Sequence, residues 1–215
     1  MAGALPRMRA LPAIVTLTTL VFLGEFFLSP ATQRWLVAFF GLSERGIEQG
    51  RLWQFFTYAF LHGGLIHLLA NMAGLWFAGR IVERVMGTWR FVALYVSAAI
   101  AGGVAQVLLA DSQAILLGAS GAVCGVLLAF TTMFPDVNRV ALFFFVLPIP
   151  MRVKYLGWIL VGSSLLFLVL NFEPWISHAA HLGGAVTGFL FARLCGYGTP
   201  TLAERLLFRK NPPDS

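Results

Sequence analysis

Ser120 stands in Gly118-Ala119-Ser120-Gly121 near the start of an uncharged apolar run, and His181 lies near the start of another such run, sixty-one positions later. A serine hydroxyl is a weak nucleophile until a base takes its proton during attack. Neutral imidazole, with a reference pKa of ~6.5, suits that transfer near neutral pH. Attack on a carbonyl leaves a negative oxygen, which needs fixed hydrogen-bond donors. His67 and Asn71 are four residues apart, so one helical face presents both side chains, and the Ser120 backbone N–H adds a third donor. The chemistry these groups point to is acyl transfer, with Ser120 as nucleophile, His181 as general base and His67, Asn71 and the Ser120 backbone binding the oxyanion.

Taken singly, each group has a plainer explanation. A serine among glycines is a common packing or hydrogen-bonding residue between membrane helices, and GxxxG spacing by itself means helix contact. His178, three residues before His181, is a rival base on roughly the same face but nearer the outer interface. Spacing from Gly184 favours His181 as the base and leaves His178 as an interfacial or supporting group. What the plainer explanations do not account for is agreement in depth, which depends on the elements that carry these residues.

The chain has 215 residues, of which 59% are hydrophobic and 11% charged. Soluble domains carry about 25% charged residues, so too little charge is present to cover a water-facing surface. Apolar runs of membrane-crossing length cover 11–28, 65–82, 91–110, 114–134, 155–172 and 174–192. Arg7 and Arg9 precede the first run, which is longer than a usual signal-peptide core of about 7–15 residues and is read as a retained helix. The stretch 141–150 is too short to cross and holds Pro148 and Pro150, so it is expected to be an interfacial or partly extended connector. Cys124 and Cys195 both lie in apolar runs and read as packing residues.

The formal charge of +6 comes from basic residues scattered between the runs, which argues against a nucleic-acid surface. With a cytoplasmic amino terminus, twelve of the fifteen basic residues fall on the inner side, leaving only Arg34, Arg45 and Arg51 outside. In that orientation His67, Asn71, Ser120 and His181, from three different helices, all occupy the outer layer of the membrane. Gly121 and Gly125 on one helix, and Gly184 and Gly188 on another, have the spacing that allows backbone-to-backbone contact. That seam would bring Ser120 and His181 together in a cavity open to the outer side. The expected fold is all-α, a polytopic six-helix bundle over 1–198, with a short basic cytoplasmic tail at 199–215.

These residues resemble the rhomboid intramembrane serine proteases over nearly the whole chain. His62 through Asn71 is similar to the family's HxxxxHxxxN segment, Gly118-Ala119-Ser120-Gly121 to its GxSG motif, and Ala180-His181-Leu182-Gly183-Gly184 with Gly188 to its AHxxGxxxG motif. Gly79, Glu83 and Gly87 are similar to its GxxxExxxG pattern. The resemblance implies a Ser120–His181 dyad without an acidic third member, and Glu25, Asp111 and Glu173 are none of them beside a dyad residue in sequence. It implies oxyanion binding by His67 and Asn71, a hydrogen-bonding role for His62 beneath the first outer loop, and structural roles for Gly118, Gly121, Gly184 and Gly188. Substrates would be transmembrane segments of other proteins in the bilayer, cut near the outer face without metal or cofactor. The short six-span layout points to a bacterial cytoplasmic (inner) membrane with both termini inside.

Two departures stand out. Cys124 occupies the position, one turn after the serine, where the family usually has an aromatic residue packed on the histidine. Trp53-Gln54 stands where many members have Trp-Arg, which removes the usual arginine from the tether of the first loop at 29–51. Trp35, Phe39, Phe40 and Trp53 are expected to anchor that loop in the interface, and Glu83, with Arg84 or Arg90, to serve topology and loop packing. The alternative from another class is a proteolytically silent, client-binding rhomboid-like protein, disfavoured because nucleophile and base are both kept. A small transporter ranks last, since no internal repeat is visible.

Overall fold

The computed structural model describes residues 8–110, 114–143, 147–170, 172 and 176–198. The tail at 199–215, the basic residues Arg7, Arg205, Arg209 and Lys210, and the acids Asp111 and Glu173 lie outside the described residues. The chain runs as α1 (Ala10–Phe26), a long first loop with α2 (Pro30–Phe40), α3 (Glu44–Glu48) and α4 (Gln54–Thr57), and a 3-10 turn at Tyr58–Phe60. There follow α5 (Leu65–Met86), α6 (Thr88–Leu109), α7 (Ser120–Met133), a hairpin of β1 (Asn138–Phe143) and β2 (Leu147–Arg152), α8 (Val153–Val169) and α9 (His178–Leu194). Helix is the natural state of these apolar runs because it satisfies its own backbone where water is scarce.

Among the described residues, α5 and α6, with 22 residues each, are the helices long and apolar enough to cross a membrane. Helices α1 and α8 have 17 residues and α7 has 14. Large apolar side chains such as Phe27, Ile66, Trp89 and Leu194 point outward. Helix α7 is the centre, with eleven of its 14 residues buried, and it packs against α5, α6, α8 and α9.

The run at 114–134 is not helical throughout. Its first part is extended, and helix begins only at Ser120. The non-helical backbone is satisfied by protein: Leu116 exchanges N–H and carbonyl bonds with Leu42 (2.8 and 3.1 Å), and Gly118 N–H donates to the Tyr58 carbonyl at 3.0 Å. At 14 residues α7 is about 21 Å long, shorter than a hydrocarbon core of about 30 Å. Ser120 thus lies at a helix N-terminus.

The connector expected at 141–150 is part of an antiparallel hairpin pairing Asn138 with Arg152 through Phe143 with Leu147. Pro148 and Pro150 fit because a two-stranded ladder leaves edges where no N–H is needed. Asp136 closes its base with Lys154 at 2.8 Å and Arg152 at 3.7 Å. Lys154 donates a hydrogen bond to the Asp136 carboxyl and, with its charge and that of Arg152, holds that carboxyl below the usual range.

Glu83 serves packing, as expected, but through other partners than those expected. Its partners are not Arg84 or Arg90. The carboxylate, 1% exposed, accepts from the Arg9, Ala10 and Leu11 N–H groups at 2.8–2.9 Å and from the Thr88 hydroxyl at 3.0 Å. Those N–H groups are the first-turn donors of α1, which a helix cannot satisfy internally. A buried carboxylate with four donors fastens the start of α1 to the α5–α6 junction.

The tether of the first loop survives the loss of arginine. Gln54 is fully buried. Its amide donates to the Ala38 and Phe39 carbonyls (3.1 and 3.2 Å) and accepts from Ser43 N–H at 3.2 Å. Arg51 donates to the Ala38 carbonyl and Trp53 to that of Phe39. Trp35 and Trp53 both lie with their rings 5.1 Å from Phe39.

Candidate active site

The site forms where three glycine-bearing helices meet. A Cβ added to Gly184 on α9 would lie 1.9 Å from the Gly121 carbonyl oxygen on α7, and one on Gly188 would lie 1.9 Å from that of Gly125. The two helices therefore touch backbone to backbone along the expected seam, which no larger residue permits. Helix α6 joins the junction, since a Cβ on Gly102 would lie 2.9 Å from the Ala180 carbonyl. Ser120 precedes Gly121, and His181 follows Ala180, so the two share one end of the seam. Their side chains are both partly exposed there and are not joined by a direct hydrogen bond.

The Ser120 N–H is in the first turn of α7, where a helix supplies no acceptor and the dipole favours negative charge. The turn before it depends on Gly118, whose φ is +113°, a value that side-chain-bearing residues rarely adopt. A Cβ there would also meet the His67 ring at 2.5 Å. That contact brings His67, in the first turn of α5, against the loop before Ser120. Asn71 is buried one turn along the same helix, and its amide donates to the His67 carbonyl at 2.9 Å. One amide hydrogen of Asn71 thus holds the side chain in place on its own helix.

His62 is buried against the same loop. Its Nε2 faces the Ala119 N–H at a long 3.5 Å, and its ring lies 5.0 Å from that of His67. That nitrogen faces the loop that precedes Ser120. Burial away from water, with the neighbouring His67, lowers its pKa to about 4. His178 is also buried, at 8% exposed, and not an exposed interfacial group. Its ring lies 6.0 Å from that of His181 and 5.3 Å from that of Phe167 on α8.

Sequence reasoning missed three organisers of this junction. Tyr58 is almost fully buried, donates its hydroxyl proton to the Ala99 carbonyl at 2.8 Å, and receives the Gly118 N–H on its own carbonyl. Ser177 caps α9 by accepting from Ala180 N–H at 3.2 Å, and its hydroxyl is hydrogen-bonded to the Gln106 side chain on α6. For Tyr58 and Gln106 no local signal existed. The serine three residues before the Ala180 amide was a readable capping signal. An apolar cavity of about 490 Å³ lies elsewhere, between α1, α2 and the 3-10 turn, and none of the four polar residues borders it.

This arrangement sets a hydroxyl, an imidazole and several donors around one helix N-terminus, the components of serine-based acyl transfer. Comparison with known proteins shows the family. The Rhomboid domain family matches residues 49–198. Rhomboid protease GluP of Bacillus subtilis is 32% identical over 161 residues, covering 75% of this chain and 29% of that protein. RHOMBOID-like protein 5 of Arabidopsis thaliana is 32% identical over 161 residues, 69% of this chain and 45% of its own length. The mitochondrial presenilin-associated rhomboid-like protein A of Danio rerio is 31% identical over 188 residues, 86% of this chain and 45% of its own length. The chain thus spans less than half the length of these relatives. It belongs to the rhomboid family, whose members are embedded in membranes.

Proposed function

We propose that this chain is an intramembrane serine endopeptidase that hydrolyses peptide bonds in or near transmembrane segments of other membrane proteins. Ser120 attacks the scissile carbonyl while His181 takes its proton and later returns it to the leaving amine. His67, Asn71 and the Ser120 N–H hold the oxyanion. In this reading α1, α5, α6, α7, α8 and α9 are six membrane spans. The excess of inner basic residues sets both termini in the cytoplasm of a bacterial cell, with the site in the outer leaflet.

The observation that carries the reading is the approach of Gly184 to the Gly121 carbonyl, because it holds the residues next to Ser120 and His181 at one level. The missing Ser120–His181 hydrogen bond is what a silent, client-binding member would also display. Catalytic bonds are nevertheless often long before substrate is bound. The two readings part in one experiment. Purified protein in liposomes is expected to cleave a single-span reporter and to react with a fluorophosphonate, and Ser120→Ala or His181→Ala is expected to abolish both. Reaction undiminished in Ser120→Ala would remove the proposed nucleophile, and complete inertness of folded wild-type protein toward the fluorophosphonate would favour the silent reading.

A further inference from the structure

We infer that His178 is a positioning residue for His181, an inference that rests on the dyad reading above. An imidazole that moves a proton must hold its ring plane, since a small rotation takes the nitrogen away from the hydroxyl. His181 is one turn into α9, beside glycines that offer no side chain to lean on. Among the described residues, His178 is the ring that contacts it, edge to face at 6.0 Å and 89°. His178 is in turn set against Phe167 of α8, at 5.3 Å and 69°. The result is a chain of rings, Phe167 to His178 to His181, running from α8 to the base.

Two further observations favour support over mere packing. The position one turn after Ser120 is Cys124, whose side chain is buried with Leu128 and Ala185 against Leu160 and Val161. That side therefore gives His181 no ring. The first turn of α9, which carries both histidines, is also fixed at its start by Ser177, capped on Ala180 and bonded to Gln106. A rigid first turn allows the His178 ring to act as a stop. His178 touches neither Ser120 nor substrate in this scheme and acts only through His181.

The test uses the full chain in liposomes and a fluorophosphonate probe, following the limiting rate of labelling and the half-saturating concentration separately. His178→Ala and His178→Asn are expected to lower the limiting rate by roughly three- to tenfold, the range an edge-to-face pair is worth, with half-saturation and unfolding temperature little changed. His178→Phe keeps a ring and is expected to stay within about twofold of wild type. A purely structural role would move stability and leave the limiting rate alone. Labelling at wild-type rate in His178→Ala overturns the inference, as does a His178→Phe variant as slow as His178→Asn. If His178→Ala does not fold, the comparison of His178→Phe with Phe167→Leu decides, fast against slowed supporting the ring chain and any other order overturning it. Failure of the dyad reading is separate and shows as labelling that survives Ser120→Ala.

Discussion

Replacing Gly184 by alanine asks whether the α7–α9 seam sets the chemistry. The new Cβ falls 1.9 Å from the Gly121 carbonyl oxygen. Carbon–oxygen contacts settle near about 3.3 Å, so the two backbones must part by about 1.4 Å at this level. Ser120 is one residue from Gly121 and His181 is three from Gly184, both within a single helical turn. The displacement therefore reaches the reacting atoms nearly undiminished. A misplacement of ~1 Å costs about 100-fold in rate, or about 2.7 kcal/mol in the barrier. Overpacking costs about 1–3 kcal/mol in stability. The assay is the Ser120-dependent rate of fluorophosphonate labelling in liposomes, read beside thermal unfolding. Gly188→Ala clashes equally hard with Gly125, but about 6 Å further from the reacting end. It should lose similar stability and less rate. Gly162→Ala on α8, where nothing lies within 4 Å, should change neither. A folded Gly184→Ala protein that labels at the wild-type rate would show that the seam does not set the position of Ser120 against His181.

Two more expectations concern the frame around the site. Glu83→Ala strips acceptors from three first-turn N–H groups of α1 and should lower stability by about 3 kcal/mol; Glu83→Gln, which keeps one acceptor oxygen, should lose less, as thermal unfolding in detergent will read. His62, lowered to about 4 by burial, binds a proton more readily when the chain is unfolded. Its stabilisation is therefore full above its ordinary value near 6.5 and declines as pH falls from there toward 4, by about 2–4 kcal/mol in all. Unfolding measured across that range should show the decline in wild type and a flatter profile in His62→Gln.

The helical frame and the seam could be read from the chain because both obey local rules. Long uncharged runs have one stable form in lipid, and paired glycines four apart have one common use. Gly121, Gly125, Gly184 and Gly188 meet as that spacing predicts. The errors arose where a distant partner decided the outcome. Glu83 sits beside Arg84 and near Arg90 in sequence, yet its carboxylate serves N–H groups more than seventy residues away. His178, three residues nearer the helix start than His181, left an interfacial and a supporting role open, and its ring contacts with Phe167 and His181 favour the second. Gln54 seemed a poor substitute for arginine because it lacks charge. Carbonyl acceptors do not require charge, however, and a buried amide that both donates and accepts suits three partners, two carbonyls and an N–H.

The start of α7 joins these points. An apolar run with no break reads as helix from end to end, and nothing in Ala114, Ile115, Leu116 or Leu117 forbids it. Helix through this stretch would leave Ser120 in the second turn, its N–H bonded to the residue four before it. The observed chain instead stays extended, because Leu42 and Tyr58 supply the backbone partners that lipid cannot. The first loop, held by Gln54, thereby decides where α7 begins. By withholding one turn of helix it leaves the Ser120 N–H without an internal acceptor, at the point where the proposed reaction would place an oxyanion.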